Sequence, residues 1–499
     1  MIAAAIISAL LYVVDAGAPL RHMLRERTLL AERAMSALRF PSAPPDEFYE
    51  GAILDHFSLS SDASGARSWR QRFWVNDTFW QAGGKAGPVF LYLEGEGTGS
   101  PYSVLQGEHV ELAAVHGALV ISLEHRFYGA SLPRTDLTVD SLVYLSSHQA
   151  VGDIAHFLRG YVSPTYKISF PQTAVVTFGG SYPGALSAWT RLRIPHLVTI
   201  GVSTSSPVEA SFDFVGYNYV VGKSLALETI GGSAACASAV RDAFVALDAA
   251  LAAGGATATA AGKMFSSCQD LGVADANDIM WAASNYGGLI QGLVQYNDEG
   301  AGLDVRGLCT IMNATENSAV ENLASAVKQM LGGGCSDNSY SDYVVQAGNT
   351  TANPAAYGLG LRQWMWQSCS QFAYWQTCED RDVCPLSLYM TLESNTQQCR
   401  DLFGAPFTAL VSEERVSNTN DLLGGAAIAG SHIIFVNGGV DPWHNLSVLE
   451  TRPELLSVFI PTGAHCRQMR ASSDSDPEDV KEARAQIAAQ LAVWLANRS

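Results

Sequence analysis

Residues 173–193 read TAVVTFGGSYPGALSAWTRLR. The first six are apolar and rich in β-branched side chains, as in a short buried strand, and the segment after Pro183 has the composition and spacing of a helix. Between them Ser181 sits at a glycine-flanked bend. A serine on a sharp strand-to-helix turn matches the nucleophile elbow, whose usual form, G-x-S-x-G, has a glycine two places after the serine. Here that place is Pro183. Proline lacks only its own N–H, and N–H groups in a helix's first turn have no intrahelical acceptor anyway. Tyr182 therefore keeps its amide. Proline also biases Tyr182 away from the α region, so the helix is expected to begin at or after Pro183, with Gly184 meeting any need for close packing. A serine in an ordinary glycine-rich turn reads the same locally, so the rest of the chain must decide.

Working outward, further short apolar runs stand at 88–97 (PVFLYLEGEG), 118–126 (ALVISLEHR) and 196–204 (HLVTIGVST), separated by helix-length stretches such as SSHQAVGDIAHFLRGY. This alternation predicts a parallel sheet covered on both faces. After Ser206 it stops. Residues 216–400 hold helical stretches, an alanine-rich segment and the aromatic run WMWQSCSQFAYWQT at 364–377. The strand pattern returns with SHIIFVNGGVDPWH at 431–444 and ELLSVFIPTGAH at 454–465. A closing helix is predicted with Asp476 as N-cap, Pro477 in its first turn, and a buried stripe of Val480, Ile487, Leu491 and Trp494. The expected organisation is an α/β-hydrolase fold with an inserted, mostly helical, disulfide-bonded cap domain: 50–215 and 421–499 as the two hydrolase parts, 216–420 as the cap. No internal repeat is visible.

Serine is a weak nucleophile unless a histidine takes its proton and a carboxylate holds the histidine's tautomer. In this fold the three follow the order Ser, Asp, His, on loops after strands. Asp441 and His465 stand at the ends of the last two predicted strands and in that order after Ser181. His432 and His444 compete as the base, but His444 follows the acid too closely to fold back onto it. The oxyanion hole takes the amide after the nucleophile, Tyr182, and one from an early strand loop. In the glycine-rich LEGEGTGS at 93–100 the candidates are Gly95 and Glu96. That loop lacks the Lys-Ser/Thr ending of a phosphate-binding loop.

The 499 residues are 48% hydrophobic and 16% charged, with a formal net charge of -18. Nucleic acid and anionic membrane are not expected as partners, because both demand clustered basic residues. An apolar run from Ile2 to Val14, then small residues, predicts a signal peptide over 1–18, although no Lys or Arg precedes the run. Residues 19–49, an amphipathic basic helix and a proline-rich stretch, are expected to form a pro-segment or N-terminal arm. No later run is long enough to span a bilayer, so no stable membrane insertion is expected. Eight of the nine cysteines cluster in one region (Cys236, Cys268, Cys309, Cys335, Cys369, Cys378, Cys384 and Cys399) while Cys466 stands apart. In a chain with a secretory leader an even cluster reads as disulfides, with pairing open. The spacings lack the paired C-x2-C elements of a metal site, and no cofactor is expected. Sequons at Asn76, Asn313, Asn349, Asn445 and Asn497 agree with a secretory route.

The stretches DHFS (55–58), QRFWVN (71–76), GPVFLYLEGEG (87–97), LEHRFYGASLP (123–133), YLSSHQAVGDIAHF (144–157), FGGSYPGALSAW (178–189), WQSCSQFAYWQT (366–377), VNGGVDPWH (436–444) and GAHCRQM (463–469) run in order along the chain. Together they resemble the prolyl carboxypeptidase, dipeptidyl peptidase II and thymus-specific serine protease family of lysosomal and secreted peptidases. The resemblance implies a serine exopeptidase cleaving short peptides after proline or a similar small residue near one terminus. By position it implies Ser181 as nucleophile, Asp441 as acid and His465 as base. Gln371 replaces the family's usual glutamate and Ala373 its glycine, which bears on specificity through the cap. Arg470 is a candidate for a substrate carboxylate, and Trp366 with the rest of the aromatic run is either cap core or the lining of a proline pocket. An esterase with the same triad, or an inert hydrolase-like binding module, would share much of this pattern. Which peptide end is recognised, and whether the chain forms a homodimer, stay open.

Overall fold

The computed structural model describes residues 43–58, 68–80, 87–298, 302–352 and 360–497. The expected signal segment and the arm up to residue 42 lie outside them. Eight strands form one sheet in the order β1-β2-β4-β3-β5-β6-β7-β8: β1 Glu47–Ile53, β2 Ser68–Asn76, β3 Val89–Leu93, β4 Leu119–Leu123, β5 Val175–Gly180, β6 Ile200–Thr204, β7 Ile433–Gly438 and β8 Leu455–Ile460. From β4 to β8 every pairing is parallel. Each of these six strands falls within a run predicted from sequence. The antiparallel β1 and β2 were not predicted as separate strands, and β1 straddles the boundary expected at 49/50. Period-two burial of Trp69, Gln71 and Phe73 along β2 was the available signal.

Alternate side chains of the parallel strands enter different cores. On one face Phe90, Tyr92, Val176 and Phe178 pack under α1, Glu108–His116, and under the C-terminal helix Glu478–Ala496. On the other face Val89, Leu91, Leu93 and Val175 meet α2, Ser147–Phe157, and α3, Tyr182–Arg193. Burial on both faces is why these strands read as continuous apolar runs. Within the C-terminal helix Val480, Ile487 and Leu491 are buried and Trp494 is half-buried. Asp476 is not the N-cap. Pro477 holds that position, and the Asp476 carboxylate instead accepts from Arg484, Arg467 and the Ser473 amide.

One buried ion pair ties three of the quoted stretches together. Arg126, after β4, bonds both oxygens of Asp153 on α2 at 2.6 Å and also the carbonyls of Ile53, Leu54 and Tyr144. His56 Nε2 completes the group on Asp153 Oδ1 at 2.8 Å. With all five guanidinium N–H groups so engaged, the pair fixes how the first strand and α2 meet.

Between Thr204 and Ile433 the chain leaves the sheet and forms the helical cap. Its elements include α4, Val215–Leu225, and α5, Ala276–Gln295. The boundaries drawn at 216 and 420 fall inside α4 and inside the helix Ala409–Leu423. All eight clustered cysteines pair within the cap: Cys236–Cys309, Cys268–Cys335, Cys369–Cys399 and Cys378–Cys384. Cys466 takes part in none of these disulfides and is buried. One apolar cluster runs from Tyr182 and Trp189 on α3 through the aromatic run into the cap helices, so cap and hydrolase domain share a core.

Candidate active site

Ser181 directly follows β5 and caps α3 at φ 61° and ψ −134°, a backbone region that a residue with a side chain occupies only under constraint. The constraint is visible: the Ser181 amide donates to Thr204 O at 2.9 Å, and its carbonyl accepts from the Ala185 amide at 3.1 Å. The helix begins at Tyr182, one residue before Pro183, which occupies its first turn. Gly184 is the glycine the elbow needs. A Cβ there would stand 2.5 Å from Thr204 O, a backbone atom of the neighbouring strand. Pro183 packs in turn against Gly95, where a Cβ would meet the proline Cγ at 2.6 Å.

The loops after β7 and β8 bring Asp441 and His465 together. His465 Nδ1 donates to Asp441 Oδ1 at 2.9 Å, and both side chains are wholly buried. Asp441 Oδ1 also accepts from the Trp443 amide at 3.0 Å, capping a short 3-10 turn over Pro442–Leu446. Burial alone would depress the imidazole's pKa, but the adjacent Asp441 carboxylate outweighs it and holds His465 well above the ordinary histidine value. The β8 loop lies against the elbow: a Cβ on Gly180 would come 2.7 Å from Cys466 Sγ. His444 instead turns Nδ1 to the carbonyls of Asp441 and Gly438, and His432 packs edge-on against Trp494.

Behind the serine, the Tyr182 side chain is locked. Its hydroxyl lies 2.8 Å from His125 Nε2, while His125 Nδ1 is 2.8 Å from Arg126 O. A carbonyl can only accept, so His125 is the Nδ1–H tautomer and Tyr182 donates to Nε2. Burial pushes His125 down to about 4, consistent with a neutral ring. The ring of Tyr182 is flanked by Trp364 and Phe372 from the aromatic run. Glu96 is buried beside the elbow, and its Oε2 has no hydrogen-bond partner among the described residues. Desolvation pushes its carboxyl up to about 7, partly offset by His465, whose positive charge is close enough to act on it.

The candidate specificity residues are dispersed. Trp366 is committed to packing: its Nε1 donates to Leu145 O at 3.2 Å and its ring stands edge-on to Phe403 and Phe407. Gln371 Oε1 accepts the Ser147 amide at 2.9 Å, joining cap to hydrolase domain. Arg470 is buried, and its carbonyl accepts from Arg484 of the C-terminal helix. Sequence reasoning missed Gln295, at the end of α5, whose carbonyl accepts the His465 amide at 2.9 Å and whose Oε1 accepts from Tyr217 and Trp443. No local pattern marks it. Of the sequons, Asn313 and Asn497 are exposed and Asn349 is half-buried. The Nδ2 atoms of Asn76 and Asn445 are engaged with Val104 O and Gly216 O. Among the described residues no group of three or more histidine, cysteine or acidic side chains is placed to hold a metal, and no helix is long and apolar enough to cross a membrane.

Comparison with known proteins adds to this geometry. The family described as serine carboxypeptidase S28 matches residues 52–487. The chain is 39% identical to thymus-specific serine protease of Homo sapiens, across 89% of this chain and 85% of that protein. It is 33% identical to a putative serine protease of Caenorhabditis elegans, across 89% and 86%. It is 26% identical to lysosomal Pro-X carboxypeptidase of Bos taurus, across 89% and 87%. The chain belongs to the serine carboxypeptidase S28 family and is a serine-type peptidase.

Proposed function

We propose that the chain is a serine exopeptidase that cleaves short peptides after proline, or a similar small residue, near one terminus. The observation that carries the reading is the fully buried Asp441–His465 hydrogen bond, with the His465 loop packed against the elbow of Ser181. Ser181 Oγ attacks the peptide carbonyl as His465 takes its proton. The tetrahedral oxyanion is held by the Tyr182 amide and one from Gly95 or Glu96. His465 then protonates the leaving amine, an acyl-enzyme forms on Ser181, and water releases it by the same proton path in reverse. Asp441 holds the imidazole tautomer throughout. Preference for proline is supported by the relative named lysosomal Pro-X carboxypeptidase. The four disulfides and that relative support a secretory or lysosomal setting.

Two measurements test this. Ser181→Ala should lower turnover on a proline-containing peptide by on the order of 10⁴-fold or more, and a fluorophosphonate probe should label the purified chain at Ser181. Retained peptidase activity in that variant would remove Ser181 from the mechanism. Failure of the folded, processed chain to label would favour an inert module, and preference for simple esters over proline peptides would make it an esterase. Blocking the peptide's amine or its carboxylate in turn identifies the end recognised.

A further inference from the structure

Two consecutive residues of the elbow hold unfavourable backbone conformations. Ser181 stands at φ 61° and is kept there by the hydrogen bonds of its amide to Thr204 and of its carbonyl to Ala185. Tyr182 is the first residue of helix α3, although Pro183 follows it and a proline disfavours the α region for the residue before it. Its amide gains no intrahelical bond in return, because the amides of a helix's first turn have no acceptor within the helix. The hold on Tyr182 comes from its side chain.

Tyr182 is 1% exposed, and its ring packs among Trp189, Trp364 and Phe372. The hydroxyl donates to His125 Nε2 at 2.8 Å, and its oxygen lies 3.3 Å from Ser147 Oγ at the start of α2. His125 is anchored from behind by Nδ1, which donates to Arg126 O at 2.8 Å, and the Arg126 side chain is locked onto Asp153. Apolar side chains of similar size at both positions would fill this space without taking a hydroxyl and an imidazole out of water. A buried polar pair bonded at both ends instead fixes one arrangement of its parts, where apolar packing tolerates several.

We propose that His125 is a positioning residue for the oxyanion hole: by gripping the Tyr182 hydroxyl it keeps residue 182 in the helical conformation that turns its amide toward the oxyanion. The inference rests on the peptidase reading of Ser181, and it adds a residue that touches neither substrate nor reacting atoms. The oxyanion forms when Ser181 Oγ bonds to the carbonyl carbon, the hydroxyl proton passes to His465 and the π electrons of the C=O move to oxygen. The grip therefore matters after the substrate has bound. Its loss should lower kcat and leave KM in place.

The test uses the full chain, a short proline-containing peptide and the trifluoromethyl ketone of the same peptide. Ser181 Oγ adds to that ketone to give an ionised hemiketal whose oxygen occupies the oxyanion hole, whereas the matching trifluoromethyl alcohol binds without forming it. Tyr182→Phe, which removes only the hydroxyl, and His125→Leu, which removes its acceptor, should each lower kcat about 10–100-fold with KM within about twofold. Affinity for the ketone should fall by a similar factor, and affinity for the alcohol should not. His125→Gln, whose carboxamide oxygen can take the place of Nε2, should recover most of kcat. The double variant of Tyr182→Phe and His125→Leu should be no slower than the slower single variant, since both act through one bond. Thermal unfolding checks that each variant folds, and Tyr182→Phe decides the matter if His125→Leu does not fold. An unchanged kcat in Tyr182→Phe, or equal losses of ketone and alcohol affinity, overturns the positioning role while leaving Ser181 as nucleophile. A wild type that neither cleaves the peptide nor forms the hemiketal overturns the peptidase reading, and the positioning role with it.

Discussion

Gln295 grips His465 by its backbone: the glutamine carbonyl accepts the histidine amide at 2.9 Å. The Gln295 side chain reaches the other loop as well, with Oε1 accepting from Trp443 Nε1 at 2.9 Å and from the Tyr217 hydroxyl at 2.5 Å. The Trp443 amide in turn donates to Asp441. One cap residue thus bridges the two loops that carry Asp441 and His465, so in the proposed mechanism the cap helps to set the spacing of acid and base.

Gln295→Leu leaves the Trp443 and Tyr217 donors buried without their acceptor, at a cost of about 1–3 kcal/mol for each unsatisfied group. Because the loops lose their register rather than the substrate its contacts, kcat should fall about 10–100-fold with KM little changed. Gln295→Glu keeps the acceptor and should recover most of kcat. Steady-state kinetics with thermal unfolding decides it: an unchanged kcat in the leucine variant would show that the loops hold their geometry without the Gln295 side chain.

Stability should fall as the pH rises from about 6.5 to about 8.5. Burial pushes Glu94 and Glu96 up to about 7 and Glu108 up to about 8. A carboxyl with a raised folded pKa holds a proton that the unfolded chain has already lost, so its contribution is complete in acid and disappears as the pH passes the folded value. His465, raised by Asp441, acts in the same sense. Below pH 6.5 the buried neutral His109 and His125, both pushed down to about 4, oppose this, since unfolding lets them take up protons. The three glutamates together should withdraw roughly 3 kcal/mol across the upper window. Denaturant titrations at each pH should show the decline, with Glu108→Gln flattening it most. A profile flat in both proteins would contradict the burial assigned to these carboxyls.

What could be read from sequence followed from how strongly each feature depends on local order. The parallel strands were legible because burial on both faces writes an uninterrupted apolar run. Ser181, Asp441 and His465 were legible as candidates because the fold requires them at strand ends in one order. The edge strands were harder, since one-sided burial leaves only every second residue of β2 as a signal. Most of the disulfide pairing and the role of Gln295 were out of reach: three of the four bridges join cysteines 30 to 73 residues apart, and Gln295 meets loops that follow it by about 150 residues or more, with no local pattern to mark either. The misplaced N-cap has a plain cause. Asp476 has the right residue type and place, but two arginines, Arg467 and Arg484, compete for its carboxylate.

Ala373 is the site where this chain carries more strain than it needs. It sits at φ 54° and ψ −80°, with the Tyr374 amide donating back to Phe372 O at 2.8 Å. That is a γ-turn of the strained hand, a conformation that glycine adopts without a Cβ penalty. Ala373→Gly should therefore stabilise the protein by about 1 kcal/mol, against the usual trend for alanine to glycine. The thermal midpoint should rise or hold, with kcat unchanged. A fall of more than a degree or two would mean that packing of the buried methyl outweighs the backbone strain.

The disulfides should differ in weight according to the chain each one closes. Cys236–Cys309 joins residues 73 apart and links two cap helices, whereas Cys378–Cys384 closes a separation of 6. Cross-linking restricts the unfolded chain more as the loop lengthens, giving about 4 kcal/mol for the first and about 2 kcal/mol for the second on the loop-entropy account. Paired serine substitutions at 236 and 309 should thus lower stability about twice as much as those at 378 and 384. Cys236–Cys309 also borders α4, through Cys309 Sγ near Leu225 O at 3.8 Å, and α4 carries Tyr217, one of the two donors to Gln295. Its loss should therefore reach activity through the same loops, lowering kcat at temperatures well below unfolding. Denaturant midpoints and kcat at 25 °C, measured on both paired variants, separate the two effects. Equal destabilisation would argue that native-state strain or residual unfolded structure, rather than loop length, sets the contribution of each bridge.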